Sequence, residues 1–66
     1  MAIVTVEIFK RPQAVREAII KGITEVMVEN GAKREGTQVI LYEIEPTCWG
    51  KGGESFAKRL ENKDKP

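Results

Sequence analysis

The 66-residue sequence contains no histidine and a single cysteine, Cys48. The missing histidine and lone cysteine leave no disulfide and no structural zinc site. Neither sign of charge prevails, since 11 Lys and Arg against 10 Asp and Glu leave a net charge of +1. Such a chain carries no basic field that would draw in nucleic acid. No apolar run approaches the roughly 18 residues that span a bilayer. The N-terminus also lacks a positive region followed by an apolar run and a small-residue cleavage site. These absences lead to the expectation of a cytoplasmic protein that engages neither nucleic acid nor membrane and holds no metal.

Small size sets the next constraint. A chain of this length forms one domain and buries only about 60% of its unfolded surface. Without disulfide or metal, the remaining supports are idealised packing or association with further copies of the chain, and association is the expected one. The expected domain runs over residues 1–61, with 62–66 a mobile tail.

The pattern of residues gives a simple order of elements. Residues 2–9 are rich in Ile, Val and Thr and read as a strand. Val4, Val6 and Ile8 share one face; Ile3, Thr5, Glu7 and Phe9 share the other. Two mostly apolar faces imply a strand covered on both sides or stacked on a partner subunit. Pro12 ends the strand and suits the first turn of a helix. From about Gln13 to Asn30 the period becomes helical, with Val15, Ile19, Ile23 and Val26 on one stripe and Ile20 and Met27 widening it. Gly22 in mid-helix implies close packing against a sheet. Asn30-Gly31 is a stop, with Gly31 free to take a left-handed cap. Residues 37–45 read as a second strand, with Val39, Leu41 and Glu43 on one face and Ile40, Tyr42 and Ile44 on the other.

Strand, helix and strand make a βαβ unit with parallel strands and a right-handed crossover. Residues 47–53 then form a glycine-rich turn region, read as a small hairpin, and a charged tail follows. Two strands alone are marginal in water. Joining sheets across subunits of an oligomer would cover both the edges and the open face.

The candidates for chemistry are few: the N-terminal amine, Arg11, Gln38, Glu7, Cys48 and Trp49. No Ser-His-Asp set, P-loop or dinucleotide fingerprint is present. The Gly50-Lys51-Gly52-Gly53 run lacks the strand-to-helix setting of a phosphate cradle, so a turn or subunit contact is the favoured reading. Cys48 has no histidine to activate it and reads as a small, partly buried side chain. Glu7 reads as a solvated or subunit-contacting carboxylate. Trp49 is either a packing anchor or the wall of a pocket.

Taken together, the strand Ala2-Ile3-Val4-Thr5-Val6-Glu7-Ile8-Phe9, Arg11, the helix around Glu17-Ala18-Ile19-Ile20 and the turn Trp49-Gly50-Lys51-Gly52-Gly53-Glu54 resemble the 4-oxalocrotonate tautomerase family. The resemblance runs to about Ala57. It implies small βαβ subunits, typically assembled as hexamers that are trimers of dimers, and no cofactor. It further implies an N-terminal amine acting as general base on unsaturated 2-hydroxy or 2-oxo acids. In that family the amine belongs to a proline exposed by removal of the initiator methionine. Here Ala2 stands at that position, which makes it the candidate catalytic residue.

By the same resemblance Arg11 is the carboxylate-binding arginine of the loop after the first strand, and this loop is one residue shorter. Gln38 stands where the family has a second arginine and can still donate a hydrogen bond to a carbonyl. Trp49 matches the aromatic residue that keeps the pocket apolar and the amine's pKa low. An α-amino group titrates near ~7.7–8.0 in water, so a buried Ala2 amine could serve as a base. As a primary amine it could also form an imine. Two functions of different class follow: an isomerase acting through Ala2, or a catalytically silent oligomer that keeps the fold and binds a small acid or a protein.

Overall fold

The computed structural model describes residues 1–63, with side chains described through Glu61. Strand β1, Ala2–Ile8, leads into helix α1, Gln13–Glu29, and then into strand β2, Thr37–Glu43. The two strands pair in parallel, from Ala2 opposite Thr37 to Ile8 opposite Glu43. The βαβ unit expected from the periodicity is therefore formed.

Alternation decides the two faces of this sheet. Val4, Val6 and Ile8 of β1 and Val39 and Leu41 of β2 are half-buried, on the side covered by α1. The opposite face pairs Ile3 with Gln38, Thr5 with Ile40 and Glu7 with Tyr42. All six of these residues are exposed, Ile3 at 60% and Tyr42 at 53%. A parallel pair is normally covered on both faces, so one face here is uncovered in the single chain.

Helix α1 begins where Pro12 fixes the backbone, and the Pro12 carbonyl accepts from the amides of Val15 and Arg16 at 3.0 Å each. At its other end Ala32 N–H donates to Met27 O and Gly31 N–H to Val28 O. That pattern is a Schellman closure, with Gly31 at φ 105° in the left-handed region. The apolar stripe expected on the helix divides. Ile19, Ile23 and Met27, spaced by four, are half-buried, whereas Val15, Ile20 and Val26 are exposed. Gly22 packs against nothing: a Cβ placed there would meet no atom within 4 Å. The close approach read from its sequence position is absent within the chain.

The expected hairpin is formed by β3, Gly50–Lys51, and β4, Glu54–Ser55, paired antiparallel. Its two-residue turn, Gly52-Gly53, has positive φ at both positions, 63° and 85°, as a turn matched to strand twist requires. A second helix, α2, Phe56–Lys63, follows at once. Ser55 Oγ caps it by accepting from Lys58 N–H at 3.2 Å. Asn62 and Lys63 of the expected tail thus complete α2, and residues 64–66 lie outside the described residues.

No described residue of the single chain is fully buried. Its radius of gyration is 15.7 Å, against about 11 Å for a compact chain of this length. The βαβ unit with its hairpin and α2 arm is an extended shape that leaves apolar surface exposed.

Candidate functional site

The parallel register sorts the candidate residues to two ends of the sheet. At the start of β1, Ala2 lies opposite Thr37, and Ile3 lies opposite Gln38. Gln38 Nε2 donates to Met1 Sδ at 3.4 Å, so the glutamine reaches over the chain's first residue. Beside them opens a cavity of about 500 Å³ lined by Met1, Ala2, Gly31, Ala32, Lys33 and Gly36.

The wall of this cavity is built from the short connection after α1. Gly31 and Ala32 come from the helix stop, and one 3-10 turn, Arg34–Gly36, carries the chain into β2. Lys33 O accepts from Gly36 N–H at 3.1 Å and from Thr37 Oγ1 at 2.7 Å. The Arg34 guanidinium grips both Glu25 carboxylate oxygens, at 2.6 and 3.1 Å, and ties the turn back to α1. Hydrogen bonding from Arg34 holds the Glu25 carboxyl below its ordinary pKa. A Cβ added at Gly36 would sit 3.9 Å from both Lys33 Cβ and Met1 Cα, so the lysine stem and the chain start flank the same glycine.

The other end of the sheet holds Arg11 and Trp49. Arg11 follows β1, and its backbone N–H donates to Glu43 Oε2 at 2.8 Å. Arg16 of α1 donates to Glu43 Oε1 at 2.5 Å and to Gln13 Oε1 at 2.9 Å. The Arg11 N–H, and after it the Arg16 guanidinium, hold the Glu43 carboxyl below its ordinary pKa. The Arg11 guanidinium curls onto the carbonyls of Phe9 and Lys10, at 3.4 and 3.1 Å. Lys10, Arg11, Pro12 and Arg16 line a shallower cavity of about 370 Å³. Of the cationic side chains lining this cavity, only Arg16 pairs with the Glu43 carboxylate.

Trp49 packs edge-on against Phe9, with ring centroids 4.9 Å apart. Phe56 stands 5.5 Å from both rings and completes an aromatic cluster that seats the hairpin and α2. Within the chain Trp49 is a packing anchor. Cys48, expected to be partly buried, is exposed, and Glu7 is exposed as expected.

From Ala2 to Phe9 the strand climbs seven residues, about 23 Å at ~3.3 Å per residue. One chain therefore brings Ala2 and Gln38 together at one end, and Arg11 and Trp49 together at the other. It does not unite the two pairs. Glu43, Arg16 and Lys33 escaped the sequence reading because no motif marks them. Their places depend on the parallel register and on how the connection folds. Among the described residues no group of acidic or thiol side chains could hold a metal ion, and no helix is long and apolar enough to cross a membrane.

Comparison with known proteins covers almost the whole chain. The sequence model of the family described as "Tautomerase enzyme" matches residues 3–59. A curated relative, the probable tautomerase K2 of Dickeya dadantii (strain 3937), is 34% identical over 47 residues, 70% of each chain. Among solved structures, TomN, a 4-oxalocrotonate tautomerase homologue of the tomaymycin biosynthetic pathway, is 31% identical. It superimposes with a TM-score of 0.80 over 89% of this chain and 94% of its own. Another 4-oxalocrotonate tautomerase homologue is 29% identical, with a TM-score of 0.79 over 86% and 94% of the two chains.

Proposed function

The chain belongs to the tautomerase family, and we propose that it moves protons within small unsaturated 2-oxo or 2-hydroxy acids, using the Ala2 amine freed by removal of Met1. The observation that carries this reading is the parallel register, which sets Ala2 opposite Thr37 and Ile3 opposite Gln38. A free amine at residue 2 would then lie next to a side-chain amide able to donate to a substrate carbonyl. An amine at a partly enclosed site is a competent general base, and as a primary amine it also condenses with a 2-oxo group.

The two half-sites are completed by association. Copies arranged so that the Ala2 end of one meets the Arg11 end of another would place a guanidinium opposite the substrate's carboxylate, a pairing suited to bidentate contact. Trp49 would then form a pocket wall as well as an anchor. The uncovered sheet face supplies apolar surface for such an assembly, and a hexamer built as a trimer of dimers is the proposed form. The reaction needs no cofactor.

A second reading rests on the curled Arg11 side chain, which already spends hydrogen bonds on its own loop. In that reading the chain is a silent oligomer that keeps the fold and binds a small acid. Ketonisation of phenylenolpyruvate by the processed protein and by Ala2→Pro separates the two. The enzymatic reading expects measurable turnover by the wild type. It also expects a gain of about tenfold or more for Ala2→Pro, within the range that a better-placed base supplies. Background rates for both would leave the silent oligomer.

A further inference from the structure

We propose that Lys33 supplies the cation for the substrate carboxylate at the Ala2 end of the sheet, where position 38 offers only a neutral amide. This assignment rests on the proposed role of the Ala2 amine and deepens it.

The argument begins with the cavity. With Met1 removed, as a free Ala2 amine requires, Ala2, Gly31, Ala32, Lys33 and Gly36 remain of its six lining residues, and Lys33 alone carries a charged side chain. Its backbone is fixed by two hydrogen bonds to its carbonyl. The turn that follows is clamped to α1 by the Arg34–Glu25 pair. Lys33 Cβ and Met1 Cα lie against the same glycine, so the stem leaves the wall close to the chain start. No ion pair engages the Lys33 ammonium among the described residues, whereas Arg16 and Arg34 are both spoken for. A flexible four-carbon stem carrying an uncommitted point charge can follow a carboxylate in a cavity of this size.

A 2-oxo acid presents a carbonyl flanked by a carboxylate. With the carbonyl carbon at the Ala2 amine, the adjacent carboxylate can turn into the cavity whose wall carries Lys33. Lys33 thereby sets a preference for 2-oxo acids over neutral carbonyl compounds.

Borohydride trapping tests this on the full chain, after intact mass has verified loss of Met1. The Ala2 nitrogen adds to the probe's carbonyl carbon, water leaves, and hydride from borohydride reduces the imine to a stable secondary amine. Peptide mapping then locates the adduct. With pyruvate as probe, the concentration for half-maximal labelling of residue 2 is expected to rise tenfold or more in Lys33→Ala and to return towards wild type in Lys33→Arg. With acetaldehyde, which has no carboxylate, Lys33→Ala and wild type should label alike. Equal pyruvate dependence in Lys33→Ala and wild type overturns the proposal. So does an equal loss of labelling with both probes, because a merely structural role would give it. An adduct on Lys33 itself overturns it as well. Absence of any residue-2 adduct with either probe in the wild type strikes the Ala2 amine first, and Lys33 with it.

Discussion

The Glu43 carboxylate, at the end of β2, accepts the backbone N–H of Arg11 at 2.8 Å. With its second oxygen on Arg16, this one side chain joins the loop after β1 to both the second strand and the helix. Its pKa is held below the ordinary carboxylate value. A carboxyl lowered on folding contributes stability above its unfolded pKa and loses it as pH falls through the folded one. Glu43→Gln should therefore lower the melting temperature near neutral pH. The difference from wild type should shrink as both are titrated into the acid range below the usual carboxylate pKa. Thermal melts followed by circular dichroism across that range check this; a difference independent of pH would show that the charge is not what matters.

Gly31 closes α1 at φ 105°. Alanine there must adopt the left-handed region at a cost of about 1–2 kcal/mol. The open surroundings of Gly31 offer no clash to confuse the reading. Gly31→Ala should lower the urea midpoint at fixed protein concentration. Gly22→Ala, at an equally open helical position, should stabilise by up to about 1 kcal/mol unless a partner chain presses on that face. The pair thus reports on the cap and on assembly together.

Trp49 is the chain's one tryptophan, and it packs edge-on against both Phe9 and Phe56. Phe56→Leu removes two edge-on ring contacts, on the order of 1 kcal/mol, and loosens the seat of α2. Trp49 emission should shift to longer wavelength. Unchanged emission would mean that the indole is shielded by something other than this cluster.

The exposed row of Ile3, Ile40 and Tyr42 and the lack of any fully buried side chain among the described residues predict that folding is linked to association. The melting temperature should rise with protein concentration. Ile40→Lys should give a smaller species in sedimentation, with less helix. A melting temperature that does not change over a hundredfold dilution would count against this.

Much of the fold was legible because its signals are local. Period-two alternation marked β1 and β2, Pro12 and Asn30-Gly31 bracketed the helix, and paired glycines set the hairpin. Helix α2 was not legible: Phe56 and Leu60 make too narrow a stripe among charged residues, and the Ser55 cap is its one local signal. The orientation of α1 was half legible, since apolar residues surround much of its circumference and the single chain half-covers Ile19, Ile23, Met27 and Val28 while leaving Val15, Ile20 and Val26 exposed. For the site, the sequence named Ala2, Arg11, Gln38 and Trp49 by resemblance. It could not show that they lie at opposite ends of one sheet, because that follows from strand register. The Glu43 clamp and the Lys33 wall depend on three-dimensional placement and had no sequence signature.

The central claim is that a free Ala2 amine does the chemistry. It is tested most directly by comparing phenylenolpyruvate ketonisation by two preparations of the same chain, one beginning at Ala2 and one with Met1 retained. Turnover by the first and background rates by the second are the expected result. Equal rates in both would contradict the account, because the retained methionine leaves residue 2 no amine with which to act.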